Sequence, residues 1–264
     1  NGNGAIPNAT QSAVLVGSGF DLGTVTDTVT IRECLMWFLV GTGVKVGHGS
    51  EVRISNGRIM GNGFASGSIG VHVTGNNGGV HLDSTDVISH SVGMQLDASN
   101  GAGSNREIFL SHATLDSNGR GLAVLDDSYV SVAGCWAASS TQDNIWLAPS
   151  AKNALLVIAG GTIFNAGAIG GDCDNGQCNG ITVNAGSFSL SGVAIRNNKG
   201  HGVWVPTASV GHFTINGCNI FSNGIAATVD GGGYTFVGNV LHGNTQPGTL
   251  SKAGGAVIAN NIIS

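Results

Sequence analysis

Residues Phe188 to Val205 read FSLSGVAIRNNKGHGVWV. Leu190, Val193 and Ile195 point one way, Asn197 and Asn198 turn the chain, and Gly202-Val203-Trp204-Val205 starts a second short strand. The next stretch repeats the pattern. Phe213-Thr214-Ile215-Asn216-Gly217-Cys218-Asn219-Ile220 is followed by Asn223-Gly224 at the turn. A unit that recurs in this way must be extended along the chain before any single element is assigned.

Working outward from Ile215 as position zero, the equivalent residues are Ile31, Ile54, Leu82, Leu110, Val132, Ile158, Leu190, Ile215 and Phe236. Neighbours in this column lie 21 to 32 residues apart. Five places later stand Met36, Ile59, Val87, Leu115, Ala137, Ile163, Ile195, Ile220 and Leu241, every one apolar. Three places after zero the residues are mostly small, among them Cys34, Gly57, Ala113, Cys135 and Cys218. Eight places after zero Asn recurs, at Asn62, Asn118, Asn198, Asn223 and Asn244. A second strand carries Val44/Val46, Val71/Val73, Met94/Leu96, Leu122/Val124, Ile145/Leu147, Ile181/Val183 and Val203/Val205.

A period of two inside each strand gives it an inner and an outer face. Stacking the coils sets like residues on one another at about 4.8 Å, so the inner columns form one continuous core. Asn tolerates the left-handed backbone of a turn, and stacked amides hydrogen-bond along a column. The predicted fold is all-β: a single-stranded parallel β-helix, a solenoid of about nine coils. Residues 28–264 form the helix domain and residues 1–27 an irregular stub or partial coil. Coil lengths vary at the turns, where loops usually carry function.

Composition agrees. The chain has 264 residues, 45 of them Gly and only 4 Pro, with 9% charged residues and a net charge of −5. Many turns need Gly, and a stacked core needs β-branched side chains. The longest apolar run, Cys34 to Val40, is too short to cross a membrane, and no basic stripe exists for nucleic acid. The opening NGNGAIPNAT has neither an initiator Met nor a signal peptide and reads as a fragment or processed product. Cys34, Cys135 and Cys218 share the inward position three. Coils three or four apart lie on the order of 14–19 Å from each other, too far to pair. Cys173 and Cys178, in GGDCDNGQC, leave two readings open, a local disulfide or two free thiols. Asp172 and Asp174 lack the further ligands and late Glu of a calcium loop. No metal and no cofactor is expected.

The Asn turn column, the small-residue column and the variable turns resemble the right-handed parallel β-helix, or pectate-lyase-like, superfamily. Within it, the Gly/Ser/Asn-rich, low-charge coils are similar to bacteriophage tailspikes and related polysaccharide depolymerases. The resemblance covers about residues 28–263 and is specific for fold. It implies a bacterial surface polysaccharide as partner, a homotrimer, and a place in the virion or otherwise outside the cell. The superfamily also contains lyases, epimerases and adhesins. The GDG-x-x-DD-T motif found near the N-terminus of many members is absent here, which leaves the activity to be argued from outward residues.

Glycoside hydrolysis needs two carboxylates flanking one bond. Outward positions four and six supply Asp86 and Asp116 in adjacent coils. One strand spacing and one two-residue step separate them by roughly 8 Å, within the roughly 6.5–9.5 Å of an inverting pair. Arg58 flanks Asp86, His112 is expected on the face of Asp116, and Trp136 lies one coil beyond. A neighbouring cation favours the ionised form, so Asp86 is the base and Asp116 the acid. Trp146 and Trp204, two coils apart on the second strand, are candidate stacking platforms for sugar rings. Two bland readings compete: solvated strand residues with a surface ion pair worth little, and Trp side chains covered by a neighbouring subunit. Exposed Ile88, Phe109, Phe164 and Phe221 point to assembly. Three functions stay open: an enzyme cutting a glycan, an adhesin that only binds one, and a secreted lyase or epimerase. The scarcity of Lys and of clustered acids weighs against the last.

Overall fold

The structure, a computed structural model, describes residues 13–14, 19–75, 79–97, 107–170, 173, 178–206, 209, 211–251 and 255–264. Among these residues every regular element is a strand and every strand pairing is parallel. Among the described residues no helix is long and apolar enough to cross a membrane. The strands fall into three sheets that the chain visits in rotation. Sheet 1 has ten strands, from Thr24–Arg32 to Val257–Ala259. Sheet 2 has eleven, from Ala13–Val14 to Ile262–Ile263, and sheet 3 has nine, from Phe20–Asp21 to Ile225–Val229.

The columns read from the sequence are the hydrogen-bonded neighbours of this solenoid. In sheet 1, Ile54 pairs with Leu82, Leu82 with Leu110, Ile158 with Leu190 and Ile215 with Phe236. In sheet 2, Ile59 pairs with Val87, Val87 with Leu115 and Ile163 with Ile195. In sheet 3, Val71 pairs with Met94 and Met94 with Leu122. The solenoid makes about eight full turns, slightly fewer than the expected nine, with partial rungs at the ends: Ala13 stacks under Met36, and Ile258 and Ile263 stack on Phe236 and Leu241. Inward residues are almost fully buried, so each coil's apolar set closes the core of the coils above and below.

Two corners give each coil its shape. Between sheets 1 and 2 the residue at position two has positive φ in coil after coil: Asn56, Ser84, His112, Gly134, Gly160, Gly192 and Gly217. The two apolar columns are always five places apart across this corner, where a left-handed residue makes the turn. Between sheets 2 and 3 a second left-handed column follows: Ser89, Ser117, Ser139, Asn165, Asn197 and Ser222. The residue after it turns inward. There Asn198, Asn223 and Asn244 form a ladder, with Asn198 Nδ2 to Asn223 Oδ1 at 2.8 Å and Asn223 Nδ2 to Asn244 Oδ1 at 3.0 Å. Asn118 is buried in the same way and donates to the Val87 carbonyl. Asn62 departs from the column. It is exposed, because the longer turn of its coil brings Ser68 to the ladder instead, where its Oγ accepts the Ser91 N–H.

Cys34, Cys135 and Cys218 are free and buried, each thiol donating to the carbonyl two residues earlier. Burial pushes all three thiols up from their ordinary range. Cys173 and Cys178 form a disulfide, with Cα atoms 5.4 Å apart; Asp172 and Asp174 lie outside the described residues.

Candidate functional site

The outward face of sheet 2 carries the carboxylates. Arg58, Asp86, Thr114 and Trp136 are successive hydrogen-bonded neighbours in one column, and Ile88, Asp116 and Ala138 in the other. Asp86 and Asp116 are therefore diagonal neighbours, one strand and two residues apart, which is about 8 Å of backbone geometry. Arg58 donates to Asp86 Oδ2 through Nε at 3.0 Å and Nη2 at 2.7 Å. Both partners are partly exposed, so the pair adds little to stability and leaves Asp86 reachable. Asp116 Oδ1 accepts the Ser117 hydroxyl at 3.3 Å. Ile88 adjoins both carboxylates, as the residue after next from Asp86 and the strand partner of Asp116.

Trp136 is 47% exposed and follows Thr114 in the Asp86 column. From it a row of rings runs on along the same sheet. Trp136 meets Phe164 edge-on at 4.7 Å, and the Arg196 guanidinium lies over Phe164 at 4.4 Å. Arg196 is the strand neighbour of Phe221, which stacks on His242 at 4.9 Å. Phe164 is buried beneath Trp136 and Arg196, contrary to the expectation of an exposed assembly contact.

His112 departs from its expected place. It is exposed at the left-handed corner before Thr114–Asp116, so its ring does not join the outward column of Asp116. Its Nδ1 lies 3.0 Å from Ser111 Oγ.

Trp146 and Trp204 stand two coils apart, with Thr182 between them. They belong to sheet 3, and the corner at Ser117 and Asn118 turns the chain away before that sheet begins. A single site joining them to Asp86, Asp116 and Trp136 is thus divided between two sheets. The face of Trp146 is taken by the Arg120 guanidinium at 4.1 Å, and Trp204 stacks with His201 at 5.7 Å.

Beside these rings lies a polar row that the sequence reading passed over. Its members stand two places before Leu122, Ile145, Ile181 and Val203: Arg120, Asp143, Asn179 and His201. Asp143 is 2% exposed and its Oδ1 accepts the Asn179 N–H at 2.9 Å. Burial pushes its carboxyl up from the usual range, against the lowering effect of that hydrogen bond. Burial also pulls His201 down. Arg120 Nε is buried without an acceptor among the described residues. The period of the second strand could have exposed this row, since only its inward residues and one outward column were followed. Among the described residues no three His, Cys, Asp or Glu side chains gather as a metal would need.

No protein-family model and no curated protein matches the chain. Among solved structures it is similar to the A-module of the mannuronan C-5 epimerase AlgE6 of Azotobacter vinelandii, at 13% identity and a TM-score of 0.49, over 90% of this chain and 65% of that one.

Proposed function

We propose that the chain binds a bacterial surface polysaccharide along sheet 2 and hydrolyses it between Asp86 and Asp116. The observation that carries this reading is their shared face: a diagonal carboxylate pair leads to the exposed ring of Trp136, with Phe221 and His242 farther along the same sheet. Exposed ring faces and edges suit pyranose rings, which present flat apolar faces and polar rims. Asp116 protonates the glycosidic oxygen as its bond to the anomeric carbon breaks. Asp86 takes a proton from a water whose oxygen attacks that carbon from the opposite side. The product has inverted configuration, as the separation favours. Arg58, which donates two hydrogen bonds to Asp86, fixes the orientation of the base.

The setting we propose is a homotrimeric spike on a bacteriophage tail, or another extracellular location. Ile88 adjoins both carboxylates, so an interface over it would place the cleft between subunits. A binding-only adhesin is the second reading, favoured by the partial exposure of both carboxylates, which no cleft encloses among the described residues. Capsule and lipopolysaccharide panels separate the two. New reducing ends support hydrolysis, unsaturated products absorbing in the ultraviolet point to a lyase, and retention without shortening supports the adhesin.

A further inference from the structure

On the outside of sheet 1, coils one to four enclose a groove of about 320 Å³. One wall is the column Arg53, His81 and Phe109, the residues just before the inward position zero. The other is Ser55, Asp83 and Ser111, the residues just after it. The two walls are successive outward columns, so the groove runs along the solenoid axis. His81 and Phe109 stack at 4.8 Å and 16°, forming an aromatic ledge.

The charges in the groove are unequal. Arg53 is ion-paired with Glu51, which also lies 3.6 Å from His81 Nε2. Burial, with Arg53 nearby, pulls His81 down from the usual histidine range, against the opposing effect of Glu51 and Glu107. Asp83 is half-buried and its carboxylate has no hydrogen-bond or ion-pair partner among the described residues. A carboxylate only accepts, and the hydroxyls of Ser55 and Ser111 both donate and accept. The groove therefore asks for a ligand rich in hydroxyl donors, with an apolar face for Phe109 and no negative charge to meet Asp83.

We propose that this groove is a second saccharide site, taking a neutral hexose oligomer laid along the solenoid axis. Hydroxyls of the sugar donate to Asp83, Ser55 and Ser111 are its polar neighbours, and a ring face packs on the His81–Phe109 ledge. The site is separate from Asp86 and Asp116, which face out from sheet 2, and it stands whether or not that pair is catalytic.

Calorimetric titration of the chain with cellohexaose, maltohexaose and mannohexaose, and with hexagalacturonate as the acidic counterpart, tests this. At least one neutral oligomer should bind, more tightly than the uronate. Asp83→Asn and Phe109→Ala, each checked for an unchanged melting curve, should weaken it at least tenfold. Asp86→Asn should leave it within twofold. Absence of binding by every neutral oligomer, tighter binding of the uronate, or indifference to Asp83→Asn would overturn the proposal. None of these readouts depends on turnover, so its failure is distinct from failure of the cleavage reading.

Discussion

Asn198 and Asn223 hold successive coils together through one oxygen: Asn223 Oδ1 accepts both the Asn198 backbone N–H at 3.1 Å and its Nδ2 at 2.8 Å. Asn198 Oδ1 in turn accepts the Ala166 N–H and Asn144 Nδ2. Both Asn side chains are almost wholly buried. The ladder thus supplies partners at a corner where buried backbone groups have no strand to pair with. Asn198→Ala strands the Ala166 N–H, and each orphaned buried group costs about 1–3 kcal/mol. Asn198→Asp should be worse at neutral pH, since an ionised carboxylate would sit against the Asn223 oxygen. Urea denaturation of both variants checks the order.

Ile195 stacks between Ile163 and Ile220 and is fully buried. The rungs above and below are fixed by strand pairing, so the gap left by Ile195→Ala has little room to collapse. The expected loss is about 2–5 kcal/mol. A loss under about 0.5 kcal/mol in chemical denaturation would mean that this column does not close the core.

His90 occupies a ladder position without an amide. It is fully buried, and among the described residues neither ring nitrogen is well paired, the Ile59 backbone lying nearest in effect. Burial pushes it down to about 4 from 6.5. The folded chain therefore binds this proton less readily than the unfolded chain. The stability linked to His90 is intact above pH 6.5 and is lost as pH falls through 4. The full loss is roughly 3 kcal/mol. His81 and His201 shift the same way, and Asp143 the opposite way. His90→Asn isolates the effect: its stability between pH 4 and 6.5 should fall less steeply than that of the parent, as read from melts across that range.

The fold was legible because its determinants repeat. Ile195 or Val87 alone could belong to any strand, but nine apolar residues at one offset fix a register, and strand pairing follows it in every coil. The left-handed corners were half legible. Asn197 marks one, but Ser117 and His112 take the same backbone without announcing it. The site was least legible. Trp146 and Trp204 fall on the second strand in the sequence, but only the corner at Ser117 shows that this strand lies in a different sheet from Asp116. The Arg120, Asp143 and His201 row lay outside the columns followed, and burial of Asp143 comes from packing that a strand period does not encode.

The proposed assembly and the proposed cleavage would use one surface. If the chain is the homotrimer we propose, light scattering at micromolar concentration reads three times 26.4 kDa. A monomer would leave Ile88 and Phe221 on an open face and assign them to glycan contact alone.

The most direct measurement is turnover of a glycan that the wild-type chain shortens, compared among wild type, Asp86→Asn and Asp116→Asn, with binding measured in parallel. An amide cannot exchange the proton. Each variant should therefore keep its affinity while the release of reducing ends falls by about two to four orders of magnitude. Full activity in both variants would contradict the account and move the chemistry away from sheet 2.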